Sequence, residues 1–125
     1  MVVNNKKIII IEDDDFISRA LKIKLEDKGI NILIAKDGKT GLDIVKKEKP
    51  DLVLLDLILP KMSGYDVLVE LKKDIVTKKI PVIILTNLNQ NEVEKKVKDF
   101  GAIDCLVKAN ISLEQIFKRI SEVFK

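Results

Sequence analysis

The feature that most constrains the fold of this sequence is a short apolar run that ends in an acid. Leu52–Leu55 is apolar at every position and lies between Pro50 and Pro60. A strand buried on both faces of a parallel sheet has this pattern, although periodicity alone does not distinguish it from a piece of buried helix. Asp56 follows directly, and a carboxylate in a core is costly unless it is paired, hydrogen-bonded or bound to a metal. We therefore expect Asp56 at the end of the strand, where open α/β sheets bind ligands.

Similar apolar runs recur along the chain, and helical patterns separate them. The predicted strands are Lys7–Ile11, Asn31–Ala35, Leu52–Leu55, 82–85 and Asp104–Val107. The first helix is predicted to end near Lys28, the second to begin after Asp37, and the others to cover about 63–74, 91–100 and 112–124. This alternation with short connections predicts an α/β domain with a doubly wound parallel sheet covered by five helices. Among the strand orders common in that class, we expect 2-1-3-4-5.

The predicted helices carry recognisable end signals. We expect Asp14 or Asp15 to cap the first helix and Gly29 to end it. Ser112 and Gln115 have the spacing of a capping box at the start of the last helix. The phenylalanines at helical spacings are expected to pack in the core or to be half-exposed: Phe16, Phe100, Phe117 and Phe124.

Composition limits the classes of function. The 125 residues, 46% hydrophobic and 34% charged, are expected to form a single domain over 1–125. The chain has no histidine, which excludes a Ser-His triad, a histidine metal site and a phosphohistidine of its own. The single Cys105 cannot form an internal disulfide, so we expect a cytoplasmic protein with Cys105 as a small buried strand residue. The net charge of +3 is small and the lysines alternate with acids, which argues against direct nucleic-acid or membrane partners.

Polar side chains follow four of the predicted strands. They are Glu12 and Asp13 after the first, Asp56 after the third, Thr86 after the fourth and Lys108 after the fifth. If the first and third strands are neighbours, three carboxylates converge, and either a proton or a cation must offset their repulsion. Oxygen ligands without Cys or His favour a hard cation such as Mg²⁺. A hydroxyl and a fixed positive charge beside it suit phosphoryl transfer, with an aspartate able to act as the nucleophile.

Each of these residues also has an ordinary structural explanation. The acid run at 12–15 could serve to cap a helix, and Asp56 could be a loop acid exposed to solvent. Lys108 could be one more surface lysine, and Thr86 could end its strand with a local hydrogen bond. The functional interpretation rests on all of them closing strands of the same sheet.

Four motifs, in this order, resemble the receiver domain of two-component response regulators. They are IIIIED at 8–13, D-x-x-x-P-x-M-x-G at 56–64, ILT at 84–86 and G-A-x-D-x-L-x-K at 101–108. Together they span nearly the whole chain, and the resemblance is to single-domain regulators of the chemotaxis type. The resemblance implies a flavodoxin-like fold in a phosphorylation-controlled switch, rather than a metabolic enzyme.

The resemblance also implies roles for individual residues. Asp56 would accept a phosphoryl group from a histidine kinase or a histidine phosphotransfer protein. Glu12, Asp13, Asp56 and the main-chain carbonyl of Ile58 would hold Mg²⁺. Lys108 would pair with the phosphoryl group, and the Thr86 hydroxyl would bond it in the activated state. The face made by the fourth helix, fifth strand and fifth helix would then repack and contact a downstream protein or a second copy of the chain.

The sequence departs from the family pattern near the site. Asn87 replaces a small residue and is expected to narrow access to Asp56. Ala109 replaces a proline, so we predict a trans Lys108–Ala109 bond and a reshaped loop, because a cis bond before a non-proline residue costs about 2.5–4 kcal/mol. Cys105 replaces the aromatic residue that often reports switching, so an aromatic rotamer switch is not expected at this position.

Ile58 and Leu88 occupy positions that in this family often orient the water that hydrolyses the acyl phosphate. Neither side chain can hydrogen-bond water, which leads to the hypothesis of slow self-dephosphorylation. Two other functions remain open from the sequence: a receiver-fold adaptor that works without phosphorylation, and a Mg²⁺-dependent phosphohydrolase. The hydrophobic Ile58 opposes the phosphohydrolase, which needs an acid at that position as its proton donor.

Overall fold

Strands and helices alternate along the chain in a computed structural model that describes residues 3–88 and 91–125. The strands are β1 Lys7–Ile11, β2 Asn31–Ala35, β3 Leu52–Leu55, β4 Val82–Thr86 and β5 Asp104–Val107. The helices are α1 Asp15–Asp27, α2 Gly38–Glu48, α3 Gly64–Lys73, α4 Asn91–Asp99 and α5 Leu113–Val123. A 3₁₀ turn, Lys108–Asn110, connects β5 to α5.

The strands form one parallel sheet in the order β2-β1-β3-β4-β5, which confirms the predicted fold class and strand order. The register pairs Ile11 with Leu55, Leu55 with Ile84, and Thr86 with Val107. The ends of β1, β3, β4 and β5 therefore lie along the same side of the sheet. We call this side the carboxyl edge, and the side where the strands begin the amino edge.

The apolar runs of the central strands supply both faces of the sheet, which explains why they do not alternate. Ile9 and Ile11 belong to a buried cluster shared with α2, α3 and α4. Ile8 and Ile10 belong to a second cluster shared with α1 and α5. Each of these side chains is almost fully buried, which contributes about 1.5–3 kcal/mol per side chain to stability before entropy is counted.

Most predicted helix ends agree with the structure to within a residue. Asp14 is the cap of α1, since its carboxylate accepts hydrogen bonds from the backbone N–H groups of Phe16 and Ile17. Gly29 follows α1 with a φ of 88°, in the region that favours glycine. The predicted capping box of Ser112 and Gln115 is present at the start of α5. The one strand boundary that differs is that of β4, which includes Thr86 as its last residue.

Two predictions about burial are wrong. Phe16 is 82% exposed rather than packed, because the side of α1 that faces the sheet is the one carrying Leu21 and Leu25. Cys105 is half-buried rather than buried, because β5 is an edge strand. Phe117 and Phe124 are half-buried, as predicted.

In the part of the chain that the structure describes, every helix is too short or too polar to cross a lipid bilayer.

Candidate functional site

The acids that follow β1 and β3 form one cluster at the carboxyl edge. Glu12 and Asp13 come directly after β1, and Asp56 comes directly after the neighbouring strand β3. One carboxylate oxygen from each of the three residues lies within 4.8 Å of the others. Glu12 is 3% and Asp56 6% exposed, whereas Asp13 is open to solvent. The pairing of β1 with β3 thus brings together the acids that the sequence places far apart.

Lys108 reaches this cluster from the end of β5. Its ammonium lies 2.9 Å from Oδ2 of Asp56 and also contacts the carboxylate of Glu12. Buried charges such as these persist only when they are paired, and removal of one partner leaves the other uncompensated. Burial lowers the pKa of Lys108, but its bonds to Glu12 and Asp56 outweigh that effect and raise the pKa above the ordinary value.

The pKa of Glu12 reflects its burial first and the charges of its neighbours second. Burial, aided by the nearby charge of Asp56, raises the pKa of Glu12 to about 7, although the bond to Lys108 acts in the opposite direction. A carboxyl group with such a pKa gains from a cation that offsets the negative charge around it. The cluster therefore lacks part of the positive charge that would balance it at neutral pH.

Backbone groups fix the orientation of the two buried acids. The N–H of Ile58 donates to Oδ1 of Asp56 at 3.3 Å, so Lys108 and this N–H occupy different oxygens of the carboxylate. The N–H of Asp14 donates to Oε2 of Glu12 at 3.2 Å. Both acids are thus held by neighbours in the chain as well as by Lys108.

Two glycines support the segment that follows Asp56. A β-carbon at Gly64 would lie 2.0 Å from the carbonyl oxygen of Asp56, so only glycine fits beneath this peptide. A β-carbon at Gly38 would lie 2.0 Å from the carbonyl oxygen of Met62. The contact of Gly38 with Met62 depends on the packing of α2 against this segment, which no local pattern in the sequence indicates.

Thr86 is fully buried at the end of β4. Its hydroxyl accepts a hydrogen bond from the N–H of Leu88 at 3.4 Å, a long and weak bond. The structure thus places all five predicted polar residues at the carboxyl edge, with Glu12, Asp13, Asp56 and Lys108 in one cluster and the Thr86 hydroxyl bonded locally.

The departures from the family pattern lie around the same cluster. The side chain of Ile58 is 61% exposed, and that of Leu88 is half-buried against the core. Asn87 is exposed. The described residues contain no cis peptide bond, which confirms the predicted trans bond between Lys108 and Ala109, and the 3₁₀ turn follows directly.

The donors of the cluster suit a hard divalent cation. Glu12, Asp13 and Asp56 offer only carboxylate oxygens, and no sulfur or imidazole ligand is near enough among the described residues to form part of the set. Mg²⁺ prefers such oxygens and usually retains several waters. Because Asp13 is open to solvent, water can reach this side of the cluster.

The family of the chain follows from comparison with known proteins. Residues 8–121 match the family model described as the response regulator receiver domain. The chain therefore belongs to the receiver domain family of two-component response regulators, as its motifs predict.

Individual relatives agree with this assignment. The chain is 35% identical over 117 residues to the protein PilH of Pseudomonas aeruginosa, covering 94% of this chain and 96% of PilH. It is 37% identical to the probable transcriptional regulator ycf27 of Porphyridium aerugineum, covering 96% of this chain but 48% of that protein. The chain spans about half the length of the first curated relatives it matches. The Porphyridium relative is named as a probable transcriptional regulator.

Solved structures show the same fold. The receiver domain of the Francisella response regulator 1452 matches with a TM-score of 0.89 and 29% identity, covering 96% of this chain and 97% of that one. A CheY-like receiver domain protein from Methanospirillum hungatei matches with a TM-score of 0.89 and 26% identity, covering 97% and 94%.

Proposed function

We propose that this chain is a single receiver domain that is switched by phosphorylation of Asp56. The observation that carries the proposal is the cluster at the carboxyl edge, in which Asp56 is held between the Lys108 ammonium and the Ile58 N–H, beside Glu12 and Asp13. A carboxylate with its charge partly neutralised and its orientation fixed is prepared for in-line attack on phosphorus. The phosphoryl donor would be a histidine kinase or a histidine phosphotransfer protein.

The proposed reaction exchanges one bond for another. An oxygen of Asp56 attacks the phosphorus of a phosphohistidine, a P–O bond forms, and the P–N bond breaks with its electron pair going to the imidazole nitrogen. The product is an acyl phosphate on Asp56. Lys108, already 2.9 Å from this carboxylate, would pair with the phosphoryl oxygens. Thr86 would exchange its weak bond from Leu88 for one to the phosphoryl group.

Glu12, Asp13, Asp56 and the carbonyl of Ile58 would hold Mg²⁺, and the bound ion would neutralise charge on the transferring phosphoryl group. The raised pKa of Glu12 supports this assignment, because a nearby cation would relieve the crowding of negative charge. Lys108 would then need to leave Glu12 while remaining near Asp56.

The surface beside the site suits a protein donor. Phe16 and Ile23, on the same side of α1, are 82% and 72% exposed. A cavity of about 260 Å³ between α1 and α5 is lined by Phe16, Lys108, Leu113 and other mostly apolar residues. A donor that covers this apolar surface would place its phosphohistidine near Lys108 and Asp56.

Phosphorylation would also change the surface through which the domain signals. The phosphoryl group would alter the face formed by α4, β5 and α5, which would bind a downstream protein or a second copy of the chain. We propose that this takes place in the cytoplasm, with no direct contact to nucleic acid or membrane.

The test is the intact mass of the protein after incubation with acetyl phosphate, with Mg²⁺ or with EDTA. We expect one phosphoryl adduct on the wild type with Mg²⁺, and none on Asp56→Asn or in EDTA. Asp43→Asn, which changes an exposed acid on α2, is the matched control and should form the adduct. If Mg²⁺ binds but no adduct forms, the chain acts as a phosphorylation-independent adaptor; steady release of phosphate from a generic ester would indicate a phosphohydrolase.

The lifetime of the adduct tests a second part of the proposal. Beyond its own phosphorylation, the chain would catalyse only slow autodephosphorylation, because Ile58 and Leu88 place no polar side chain where water could be oriented. Ile58→Asn combined with Leu88→Glu should shorten the half-life of the adduct by about tenfold or more. Ile58→Val with Leu88→Ile is the apolar control. A half-life that the polar pair leaves unchanged would contradict the hypothesis.

A further inference from the structure

In the segment between α3 and β4, a polar side chain is buried and its apolar neighbours are exposed. Thr77 is fully buried, whereas its neighbours Ile75 and Val76 are 75% and 53% exposed. Exposure of large apolar side chains to water is unfavourable, and adjacent ones at the surface commonly indicate an interaction site. We call residues 74–80 the 74–80 loop.

Hydrogen bonds within the loop hold it in this inverted arrangement. The Thr77 hydroxyl donates to the carbonyl oxygen of Leu71 at 2.7 Å. The Asp74 carboxylate accepts from the N–H of Val76 at 2.9 Å, and the Asp74 carbonyl accepts from the N–H of Lys78 at 2.8 Å. Because Thr77 is anchored inward, Ile75 and Val76 are directed to solvent by a fixed backbone rather than by loop disorder.

Lys72 connects the loop to a second exposed apolar segment. Its ammonium donates to the carbonyl oxygens of Lys78 at 3.0 Å and of Ile80 at 2.7 Å. Its aliphatic stem lies against Gly101, where a β-carbon would be 2.9 Å from Cγ of Lys72. The exposed Phe100 directly precedes Gly101. The surface therefore extends from the loop to the turn that follows α4.

The 74–80 loop carries a net positive charge. Lys78 and Lys79 are exposed, and among residues 3–88 and 91–125 neither forms a salt bridge. The one acid in the loop, Asp74, is engaged with the N–H of Val76. A complementary partner therefore carries acidic groups around apolar ones.

We propose that Ile75, Val76 and Phe100, with Lys78 and Lys79 beside them, form a docking surface for an acidic protein segment that presents apolar side chains. A protein fits better than an anionic membrane. A few apolar side chains on one loop bury too little area to anchor a domain on a bilayer, whereas a preorganised loop lowers the ordering cost of binding a protein. The surface lies at the amino edge, opposite Asp56, so a partner can bind there while the acceptor site is occupied.

The test is selection of short random peptides from a display library on the immobilised full chain, followed by affinity measurement on the selected peptides. We expect them to be rich in Asp and Glu with Leu, Ile or Phe, and to bind more weakly as salt rises. Ile75→Ser combined with Val76→Ser should weaken binding by about tenfold or more. Lys78→Gln combined with Lys79→Gln should weaken it by a smaller factor and reduce the salt dependence.

Two controls make the result specific. Ile103→Ser removes an exposed isoleucine that lines a cavity with Arg119 and Val123 of α5, and it should leave binding unchanged. Lys46→Gln combined with Lys47→Gln removes a pair of exposed lysines from α2 and should also leave binding unchanged. Circular dichroism and thermal melting of each variant verify the fold. The proposal is overturned if no selected peptide depends on the loop, if the selected peptides are neutral or basic, or if Ile103→Ser weakens binding as much as the loop variant. Loop-dependent binding to phosphatidylglycerol vesicles in the absence of peptide binding would overturn it in favour of a membrane.

Discussion

The two edges of the sheet depart from ordinary burial in opposite ways. At the carboxyl edge, Glu12, Asp56 and Lys108 are charged groups withdrawn from solvent. At the amino edge, Ile75 and Val76 are apolar groups exposed to solvent. Between the edges, the strands follow the usual rule, with Ile8–Ile11 and Leu52–Leu55 buried. Deviations from the rule at both edges, on a regular core, are expected where side chains are kept for binding or chemistry at some cost in stability.

The two edges also differ in how much stability the loss of a side chain should cost. Buried charges depend on each other, so the loss of one partner leaves the others uncompensated. Exposed apolar side chains depend on nothing in the folded chain, so their removal leaves the fold intact. Loss of a buried charge at the carboxyl edge should therefore cost more stability than loss of an exposed apolar side chain at the amino edge.

Lys108→Met should be the most damaging of these changes. It leaves Glu12 and Asp56 buried without their ammonium partner, and we expect a loss of about 3 kcal/mol or more in the free energy of unfolding, measured by urea denaturation in EDTA. Lys98→Met, which removes an exposed partner of Glu94, should cost far less. Equal losses for the two variants would contradict the account of the carboxyl edge.

Thr77→Val should have an intermediate effect at the amino edge. The valine cannot donate to the carbonyl oxygen of Leu71, and a buried carbonyl without a partner costs about 1–2 kcal/mol. Thr40→Val, which removes an exposed hydroxyl bonded to Asp37, is the comparison and should cost less. Hydrogen exchange of residues 74–80 should rise in Thr77→Val only. A neutral Thr77→Val would mean that the loop is not held as the structure indicates.

The pH dependence of stability should reveal the burial of Glu12 beside Asp56. Its pKa in the folded protein is raised to about 7 from 4.5, so the folded state binds this proton more tightly than the unfolded state does. This contribution is fully present below pH 4.5 and is lost as the pH rises through about 7. In EDTA, the wild type should therefore lose stability relative to Glu12→Gln between these values, on the order of 1 kcal/mol per pH unit. Parallel pH profiles would contradict the raised pKa.

Ile75→Ser should have the smallest effect on stability. The side chain is 75% exposed, so the free energy of unfolding should change by about 0.5 kcal/mol or less. Ile10→Ser, in the middle of the buried β1, should cost several kcal/mol, on the order of 3 or more. A large loss in Ile75→Ser would show that this residue belongs to the core and not to a docking surface.

The regular part of the fold could be predicted from the sequence because its signals are local. Leu52–Leu55 is buried on both faces and bounded by prolines, and the capping box at Ser112 lies within one helical turn. The convergence of Glu12, Asp13 and Asp56 was also predictable, since it requires only parallel strands and the adjacency of β1 and β3.

What could not be predicted depends on contacts between distant segments. The ion pair between Lys108 and Glu12 joins the ends of β5 and β1, which are separated in the sheet by β4 and β3. The exposure of Phe16 depends on which side of α1 faces the sheet, and the spacing of the apolar residues in this helix did not define that side narrowly enough. No pattern in the sequence indicates that Thr77 is buried while Ile75 and Val76 are exposed, because this arrangement follows from the hydrogen bond between Thr77 and Leu71.

The most direct test of the central claim is to locate the phosphoryl group. The wild type is incubated with acetyl phosphate and Mg²⁺, reduced with borohydride, which converts an aspartyl phosphate to homoserine with release of phosphate, and then digested and sequenced by mass spectrometry. The account predicts homoserine at position 56 and at no other acid, and none when Mg²⁺ is replaced by EDTA. Homoserine at Asp13 or at another acid, with position 56 unchanged, would contradict the assignment of Asp56 as the acceptor.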